Sequence, residues 1–204
     1  MKISIINGSH RQQGQSLKVA QYMQSRLKVL DLCDEVYLLN MSDQPLPLWE
    51  EAIWEQDPVW QQRLAPISEQ LKASDALIVI APEYHGMVPA ALKNFFLCFG
   101  RQELAHKPAL IVAVSSADGG AYPVAELRMS SYKNSRLCYM PEQLIIRNVE
   151  SVLNKDEKQN NAETDQYFRQ RIDWVLPQLQ QYSLALKMVR DSGVTDMSDF
   201  TNGM

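Results

Sequence analysis

The sequence contains little cysteine, which limits the metal and redox chemistry that the chain can support. Cys33, Cys98 and Cys138 are the only three among 204 residues, and no two of them have the spacing of metal ligands. An iron–sulfur cluster needs about four thiolates, so one chain cannot hold such a cluster alone. We therefore expect no metal site and three buried, reduced thiols, the usual state of cysteine in a reducing compartment.

Long hydrophobic runs, a strong charge bias and a leader segment are also missing. The longest apolar runs have the length of a strand and are too short to span a bilayer. The 24 acidic and 20 basic residues nearly balance, which gives no indication of a nucleic acid or an anionic membrane as partner. The first six residues lack the apolar core of a signal peptide. These absences predict a cytoplasmic protein.

Five short apolar segments are present, and they alternate with segments of helical periodicity. The apolar segments cover residues 2–6, 36–39, 76–81, 109–114 and 144–149. This alternation is typical of an α/β protein with a doubly wound parallel sheet. Right-handed crossovers favour the flavodoxin-like strand order 2-1-3-4-5, with helices on both faces in a three-layer sandwich. We expect residues 1–204 to form a single domain, with an extra C-terminal helix and tail over about 164–204.

Several element boundaries can also be predicted. Helices are expected over 58–72 and 124–138, and Ser16 is the natural N-cap of the first helix. Pro89 fits the first position of the helix after the third strand. The polar stretch 154–165 is expected to be a mobile connection. Pro177 should kink or break the long helical pattern that follows.

The glycines cluster in three loops, which follow the first, third and fourth predicted strands. These loops contain five of the eight glycines: Gly8, Gly14, Gly86, Gly119 and Gly120. In the strand order 2-1-3-4-5 those three strands are neighbours, so the loops should meet at one edge of the sheet. Ordinary turns would spread glycine more evenly, so the clustering favours a functional site.

The first loop, residues 8–16, has the composition of a phosphate site. Backbone N–H groups, the hydroxyls of Ser9 and Ser16, and the guanidinium of Arg11 precede a helix. The loop has neither the Gly-Lys-Ser/Thr of a P-loop nor the Gly-x-Gly-x-x-Gly of a dinucleotide fingerprint. An ordinary capped helix with a surface arginine is the alternative interpretation.

The second loop, Pro82-Glu83-Tyr84-His85-Gly86, ends a buried strand and has no spacing of a catalytic triad. A tyrosine face and turn amides suit a flat heterocycle that is stacked and hydrogen-bonded along its edge. A simple strand-ending turn, with the tyrosine against the core, is the alternative.

Taken together, these segments resemble the NADPH-dependent FMN reductase family, a flavodoxin-like group that includes azoreductases, quinone reductases and chromate reductases. The resemblance covers about the first 125 residues. It rests on these motifs: Gly8-Ser9-x-Arg11 with Ser16, Leu46-Pro47-Leu48, Ser74-Asp75-Ala76, Pro82-Glu83-Tyr84-x-Gly86 and Pro89-Ala90-Ala91-Leu92-Lys93-Asn94. His85 departs from the family's usual asparagine, and Met87 stands where a small residue is common.

The resemblance implies a noncovalent FMN and a set of residues that bind it. Ser9, Arg11, Gln15 and Ser16 would hold the phosphate. The segment from Pro82 through Glu83, Tyr84 and His85 to Gly86 would line the isoalloxazine, largely through backbone groups. Ser115 and Ser116, with Asp118 as a further candidate, would close the other side. No side chain needs to act as a catalytic nucleophile, because the flavin carries the chemistry.

The function that the resemblance implies is an FMN-dependent NAD(P)H oxidoreductase that passes hydride from NADPH or NADH to quinone, azo, flavin or similar small-molecule acceptors. A flavodoxin-type electron carrier or a redox-sensing FMN protein without NAD(P)H turnover is the alternative. Family members are commonly oligomers, so a homodimer or homotetramer is expected. Trp49, Trp54 and Trp60 are interpreted as core or subunit contacts rather than as a substrate box.

Overall fold

The computed structural model describes residues 1–203, and its centre is a five-stranded sheet in which all strands are parallel. The strands are β1 Lys2–Asn7, β2 Glu35–Asn40, β3 Ala76–Pro82, β4 Pro108–Val114 and β5 Cys138–Ile146. Their order is β2-β1-β3-β4-β5, as predicted. All seven residues of β3 and of β4 are buried, which explains their continuous apolar runs.

Helices cover both faces of the sheet and complete the predicted three-layer sandwich. They are α1 Gln15–Val29, α2 Pro58–Lys72, α3 Ala90–Cys98, α4 Arg101–Leu104, α5 Ala121–Ser130 and α6 Ala162–Asp191. On one face, α1 and α6 pack against one set of strand side chains, for example Met23 and Ile172 against Ile78. On the other face, α2, α3 and α5 pack against the alternate set, for example Phe95 against Val79. Each face therefore has its own apolar core.

The predicted starts of two helices are displaced by one or two residues. Gly14, not Ser16, is the residue that precedes α1, and Pro89 precedes α3 instead of occupying its first position. Because glycine has no side chain, the first turn of α1 has no side-chain cap. This turn also contains no acidic residue.

The segment from 121 to 149 differs more from the sequence-based prediction. Helix α5 ends at Ser130 rather than at 138, and β5 begins at Cys138 rather than at 144. The hydroxyls of Ser131 and Ser135 bond to carbonyls four residues earlier, which competes with continuation of the helix. β5 is an edge strand with an irregular register against β4, so it tolerates Pro141 and lacks the fully apolar pattern of a central strand.

Helix α6 runs through Pro177 without a break, as one element of 30 residues. The residues around the proline, Ile172, Val175, Leu176 and Leu179, are all fully buried against the sheet. This packing outweighs the loss of one intrahelical hydrogen bond, so, of the predicted kink or break at Pro177, the break does not occur.

The polar connection before α6 is organised by buried hydrogen bonds. Asp165 is 8% exposed and accepts bonds from the N–H of Leu153 at 2.7 Å, from Asn160 and from Arg169. The segment that composition alone indicates to be loose is therefore tied to the start of α6.

Within residues 1–203, no helix is both long and apolar enough to cross a membrane, and no cluster of His, Cys, Asp or Glu side chains is arranged to hold a metal ion.

Candidate functional site

The three glycine-containing loops meet at the carboxyl edge of the sheet. β1 and β4 flank β3, and Asn7 pairs with Ile80 while Pro82 pairs with Val114. The chain leaves all three strands on the same side because the strands are parallel. Side-chain contacts join the first loop to the second and the second loop to the third.

The first loop joins the second through two hydroxyl groups. The Oγ of Ser9 lies 2.8 Å from the Oη of Tyr84, and the imidazole of His10 packs edge-on against the Tyr84 ring. Ser9 and Ser16 are buried at 1% and 2% exposure, while Arg11 is exposed. The structure thus brings the side chain of Tyr84 to the predicted phosphate loop.

The charge at this loop is positive and uncompensated. Arg11 takes part in none of the ion pairs found in residues 1–203. The uncapped first turn of α1 directs its backbone N–H groups and the positive end of its dipole toward the same place. A bound phosphate would satisfy all of these groups at once, so the loop fits the phosphate of a nucleotide.

A network of amide side chains supports this loop from the neighbouring strand ends. Asn7 donates to Asn40 at 2.7 Å, Asn40 donates to Ser42 at 2.9 Å, and Gln12 donates to the carbonyl of Ser42 at 2.9 Å. Sequence reasoning missed Asn7 and Asn40. Their position at the last residue of a strand was the available signal.

The second loop is a tight β-hairpin. Tyr84 and Met87 exchange both of their backbone hydrogen bonds at 3.0 Å. The two residues between them, His85 and Gly86, have φ values of +51° and +75°. Positive φ at both central residues defines a type I′ turn, for which asparagine followed by glycine is strongly preferred. The family's usual asparagine at position 85 therefore has a backbone reason, and His85 keeps the turn while exposing its imidazole.

The third loop is joined to the second by Glu83. The carboxylate of Glu83 accepts a hydrogen bond from the N–H of Gly120, and the N–H of Glu83 donates to Val114 at 2.9 Å. Of the predicted residues in the third loop, Ser115 accepts a bond from the N–H of Ala117, and Ser116 is exposed at the edge.

Two residues that follow β5 also hold the third loop, and sequence reasoning missed both. Asn148, at φ +47°, donates through its side chain to Asp118 at 3.2 Å. Arg147 donates to the carbonyl of Gly119 at 3.0 Å. The displaced prediction of β5 placed these residues inside a strand, which hid their role.

Helix α5 holds the far end of the hairpin. Glu126 accepts a bond from the N–H of Val88 at 2.8 Å and pairs with the ammonium of Lys93 at 2.6 Å. Burial alone would raise the pKa of Glu126, but the Lys93 and Val88 contacts outweigh it and lower that pKa. The Glu126 carboxylate is therefore ionised at neutral pH.

Asn94 connects two motifs that are far apart in the sequence, the Leu46-Pro47-Leu48 segment and helix α3. Its amide donates to the carbonyl of Pro47 at 2.8 Å and accepts from the N–H of Trp49 at 2.7 Å. The Leu46-Pro47-Leu48 segment is thereby fastened to α3, beside the hairpin.

A cavity of about 730 Å³ lies elsewhere, between α2, α3 and α4. Trp54, Trp60, Phe96 and Phe99 line it, and none of the residues of the three loops does. The three-loop edge is therefore separate from this cavity.

The fold defines a class of protein: a flavodoxin-like protein, in which the switch point of the sheet is the expected place for a mononucleotide. The donors at this edge fit FMN, because the guanidinium of Arg11 is free to bind a phosphate and the N–H groups of His85 and Gly86 donate to no other group in residues 1–203. Turn amides of this kind suit the polar edge of a flat ring.

Comparison with known proteins identifies the family. The family model for NADPH-dependent FMN reductase matches residues 1–151. The NADPH azoreductase of Bacillus sp. (strain OY1-2) is 27% identical over 146 residues, which are 72% of this chain and 76% of the relative. A quinone reductase of Pseudomonas putida is 28% identical over 126 residues, 59% of this chain and 63% of the relative.

A solved structure with the same fold is FerB, a flavoenzyme NAD(P)H:(acceptor) oxidoreductase from Paracoccus denitrificans. It superposes with a TM-score of 0.69 at 20% sequence identity, over 90% of this chain and 97% of FerB. The chain belongs to the NADPH-dependent FMN reductase family, and its function is FMN-dependent NAD(P)H oxidoreduction. The resemblance therefore extends beyond the 125 residues on which the motifs lie.

The positive φ of His85 should make stability depend on which residue occupies this position. His85→Val should lower the free energy of unfolding of the apoprotein by about 1–2 kcal/mol, because a β-branched residue is strained at positive φ. His85→Asn should leave it unchanged or raise it slightly, since asparagine tolerates this conformation. Urea titrations measure both, and Met87→Val in the same hairpin, at a 51% exposed residue without positive φ, is the control. Equal effects of His85→Val and Met87→Val would contradict the type I′ assignment.

Proposed function

We propose that the three-loop edge binds FMN and that the enzyme reduces quinone, azo or flavin acceptors at this edge. The observation that carries the proposal is the meeting of an uncompensated phosphate loop with a hairpin that has free amides, joined through Ser9 and Tyr84. When bound, FMN supplies hydride transfer at its N5 between NAD(P)H and the acceptor. The names of the azoreductase and quinone reductase relatives support these acceptor classes.

The residues at the phosphate end would bind the phosphate of FMN and thereby orient the cofactor. Ser9 and Ser16 offer hydroxyls, Arg11 offers a guanidinium, and Gln15 begins the helix whose N–H groups face the phosphate. The hydroxyl of Tyr84 adds a donor that reaches across from the second loop. Each charge-assisted hydrogen bond is worth about 1.5–3 kcal/mol, more than the ~0.3–1 kcal/mol of the helix dipole.

The residues at the ring end form two walls. The hairpin that follows Pro82, with the backbone of His85 and Gly86, forms one wall, and the third loop with Ser115 and Ser116 forms the other. Both walls offer backbone donors in fixed positions, which can stabilise the charge that reduction places on a ring. We call the space between these two walls the groove. His85 on one side and Ser116 on the other are exposed, so NAD(P)H and an acceptor could reach a bound ring in turn.

We further propose that the chain forms a single FMN-binding domain and acts in the cytoplasm as a homo-oligomer. Helix α6 packs on the same sheet as α1, which supports one FMN-binding domain with α6 and the tail as additions. The three cysteines are all free, in keeping with a cytoplasmic enzyme.

A homo-oligomer is supported by apolar side chains that are exposed beside the hairpin. Tyr122 and Met129 are 70% and 77% exposed on one face of α5, and Leu97 is 56% exposed on α3. The Lys93–Glu126 ion pair joins the two helices. A Cβ on Gly86 would lie 3.8 Å from the ring of Tyr122, so this surface is continuous with the ring-binding wall. Trp60 is buried in the core, whereas Trp54 is 71% exposed and extends the apolar surface.

Reduction by NADPH separates the enzyme from an electron carrier. Anaerobic addition of NADPH to the FMN-loaded protein should bleach the visible flavin absorption within seconds, and a quinone should restore it. Stopped-flow absorbance measures both steps, with free FMN and NADPH as the control. Absence of bleaching within minutes would favour the carrier.

The phosphate assignment predicts unequal effects of two substitutions. Arg11→Ala should raise the Kd for FMN by about 10- to 100-fold, because it removes a charge-assisted contact. His85→Asn should change the Kd by less than about threefold, since the backbone of the turn is kept. Titration of FMN into the apoproteins measures both, and Arg63→Ala, an exposed arginine on α2, is the matched control. Equal affinities of the two variants would contradict the assignment.

Sedimentation tests the proposed homo-oligomer. The protein should sediment at micromolar concentration as a dimer or tetramer of its 23.3 kDa chain. Met129→Lys should shift it toward the monomer, because a charge would be buried at the contact. Val194→Lys, at a 79% exposed residue in the tail, is the control. A wild-type monomer would overturn the proposal.

A further inference from the structure

Glu83 has an arrangement that its sequence motif does not explain. It is the first residue after β3, and it belongs to none of the ion pairs in the described part of the chain. Its carboxylate instead accepts the N–H of Gly120, the residue that precedes α5. A carboxylate at the amino end of a helix is stabilised by the helix dipole and by a charge-assisted hydrogen bond.

Gly119 shows how closely the third loop lies against this carboxylate. A Cβ built on Gly119 would lie 2.8 Å from each of the two carboxylate oxygens of Glu83. The side chain therefore occupies the space that any larger residue at position 119 would need. Glu83 and Gly119 together set how near the third loop comes to the hairpin.

A second carboxylate provides a natural comparison. Glu126 on α5 accepts the N–H of Val88, at the other end of the hairpin, and is neutralised by Lys93. Both acids bond a backbone N–H and join the hairpin to α5. Only Glu83 contacts the third loop, which is the opposite wall of the proposed ring site.

We propose that Glu83 is a positioning residue whose carboxylate sets the width of the groove between the hairpin and the third loop. This inference rests on the proposed FMN site, and it assigns the side chain of Glu83 a role where the sequence pattern suggested only backbone contacts. The carboxylate also places an unpaired negative charge between the two walls. That charge disfavours the negative charge that a ring gains on reduction.

The test compares three variants in FMN titrations of the apoprotein. Glu83→Ala should raise the Kd for FMN at least tenfold, because the third loop loses its contact with the hairpin. Glu83→Gln should stay within about threefold of wild type, because the amide oxygen still accepts the Gly120 N–H. Glu103→Ala is the matched control and should also stay within about threefold, because Glu103 lies at the cavity between α2, α3 and α4, away from the three loops. It likewise loses a backbone hydrogen bond, to the N–H of Gly100, and an ion pair, with Lys72.

The midpoint potential of the bound flavin is the second readout, and a purely structural role would not move it. Glu83→Gln should make this potential more positive than in wild type. Glu103→Gln should leave it unchanged, because Glu103 lines the cavity between α2, α3 and α4, to which none of the three loops contributes. A xanthine oxidase titration with reference dyes measures both. An unchanged potential in Glu83→Gln would overturn the electrostatic part of the proposal.

Folding and FMN binding are controlled separately. Urea unfolding of each apoprotein reports stability, and Gly119→Ala, which displaces the carboxylate from the other side, replaces Glu83→Ala if that variant does not fold. Equal losses of FMN affinity in Glu83→Ala and Glu103→Ala would reduce Glu83 to a structural role. Failure of the wild-type protein to bind FMN would instead reject the proposed function, so the two failures are distinguishable.

Discussion

The parallel hydrogen bonding of β1, β3 and β4 is the constraint on which the rest of the structure depends. Neighbouring parallel strands lie about 4.8 Å apart and all end at one edge, so the segments that leave them begin side by side. β3 and β4 are buried on both faces, and a slip of one residue would exchange the two faces of a strand between the separate cores. The distances between the three loops therefore depend on the register of the strands, and the two apolar cores fix that register.

The loops are stabilised mainly by single side chains that bond to backbone groups of a neighbouring element. Glu83 contacts the start of α5, Glu126 contacts the end of the hairpin, and Asn94 contacts the segment before α2. These contacts hold the loops in place while the N–H groups of Gln15 and Ser16, at the start of α1, and the guanidinium of Arg11 stay unpaired. A rigid groove with unpaired donors suits an enzyme whose cofactor carries the reaction, because the protein's task is then to bind, orient and tune.

The elements that sequence analysis predicted well are those whose environment is uniform. β1, β3, β4 and α2 lie in continuous apolar or strongly periodic patterns, and their bounds agree with the structure within about a residue. β5 lies at the edge of the sheet and α5 ends among serines, so neither has a clear periodicity. Pro177 indicated a kink or a break in α6, yet the helix continues through it, because packing on the sheet outweighs the lost hydrogen bond.

The candidate site likewise has features that the sequence predicted and features that only the structure shows. The sequence by itself determined the fold class, the three loops, the phosphate-binding composition around Arg11 and the family, because each depends on residues that are close together in the chain. Only the tertiary structure decided that Tyr84 reaches Ser9, that Glu83 contacts Gly120, and that Asn7 and Asn148 support the loops from neighbouring strands. These contacts join residues that are about 30 to 75 positions apart or lie on different strands, and their partners are chosen by strand register and helix packing, which no local pattern encodes.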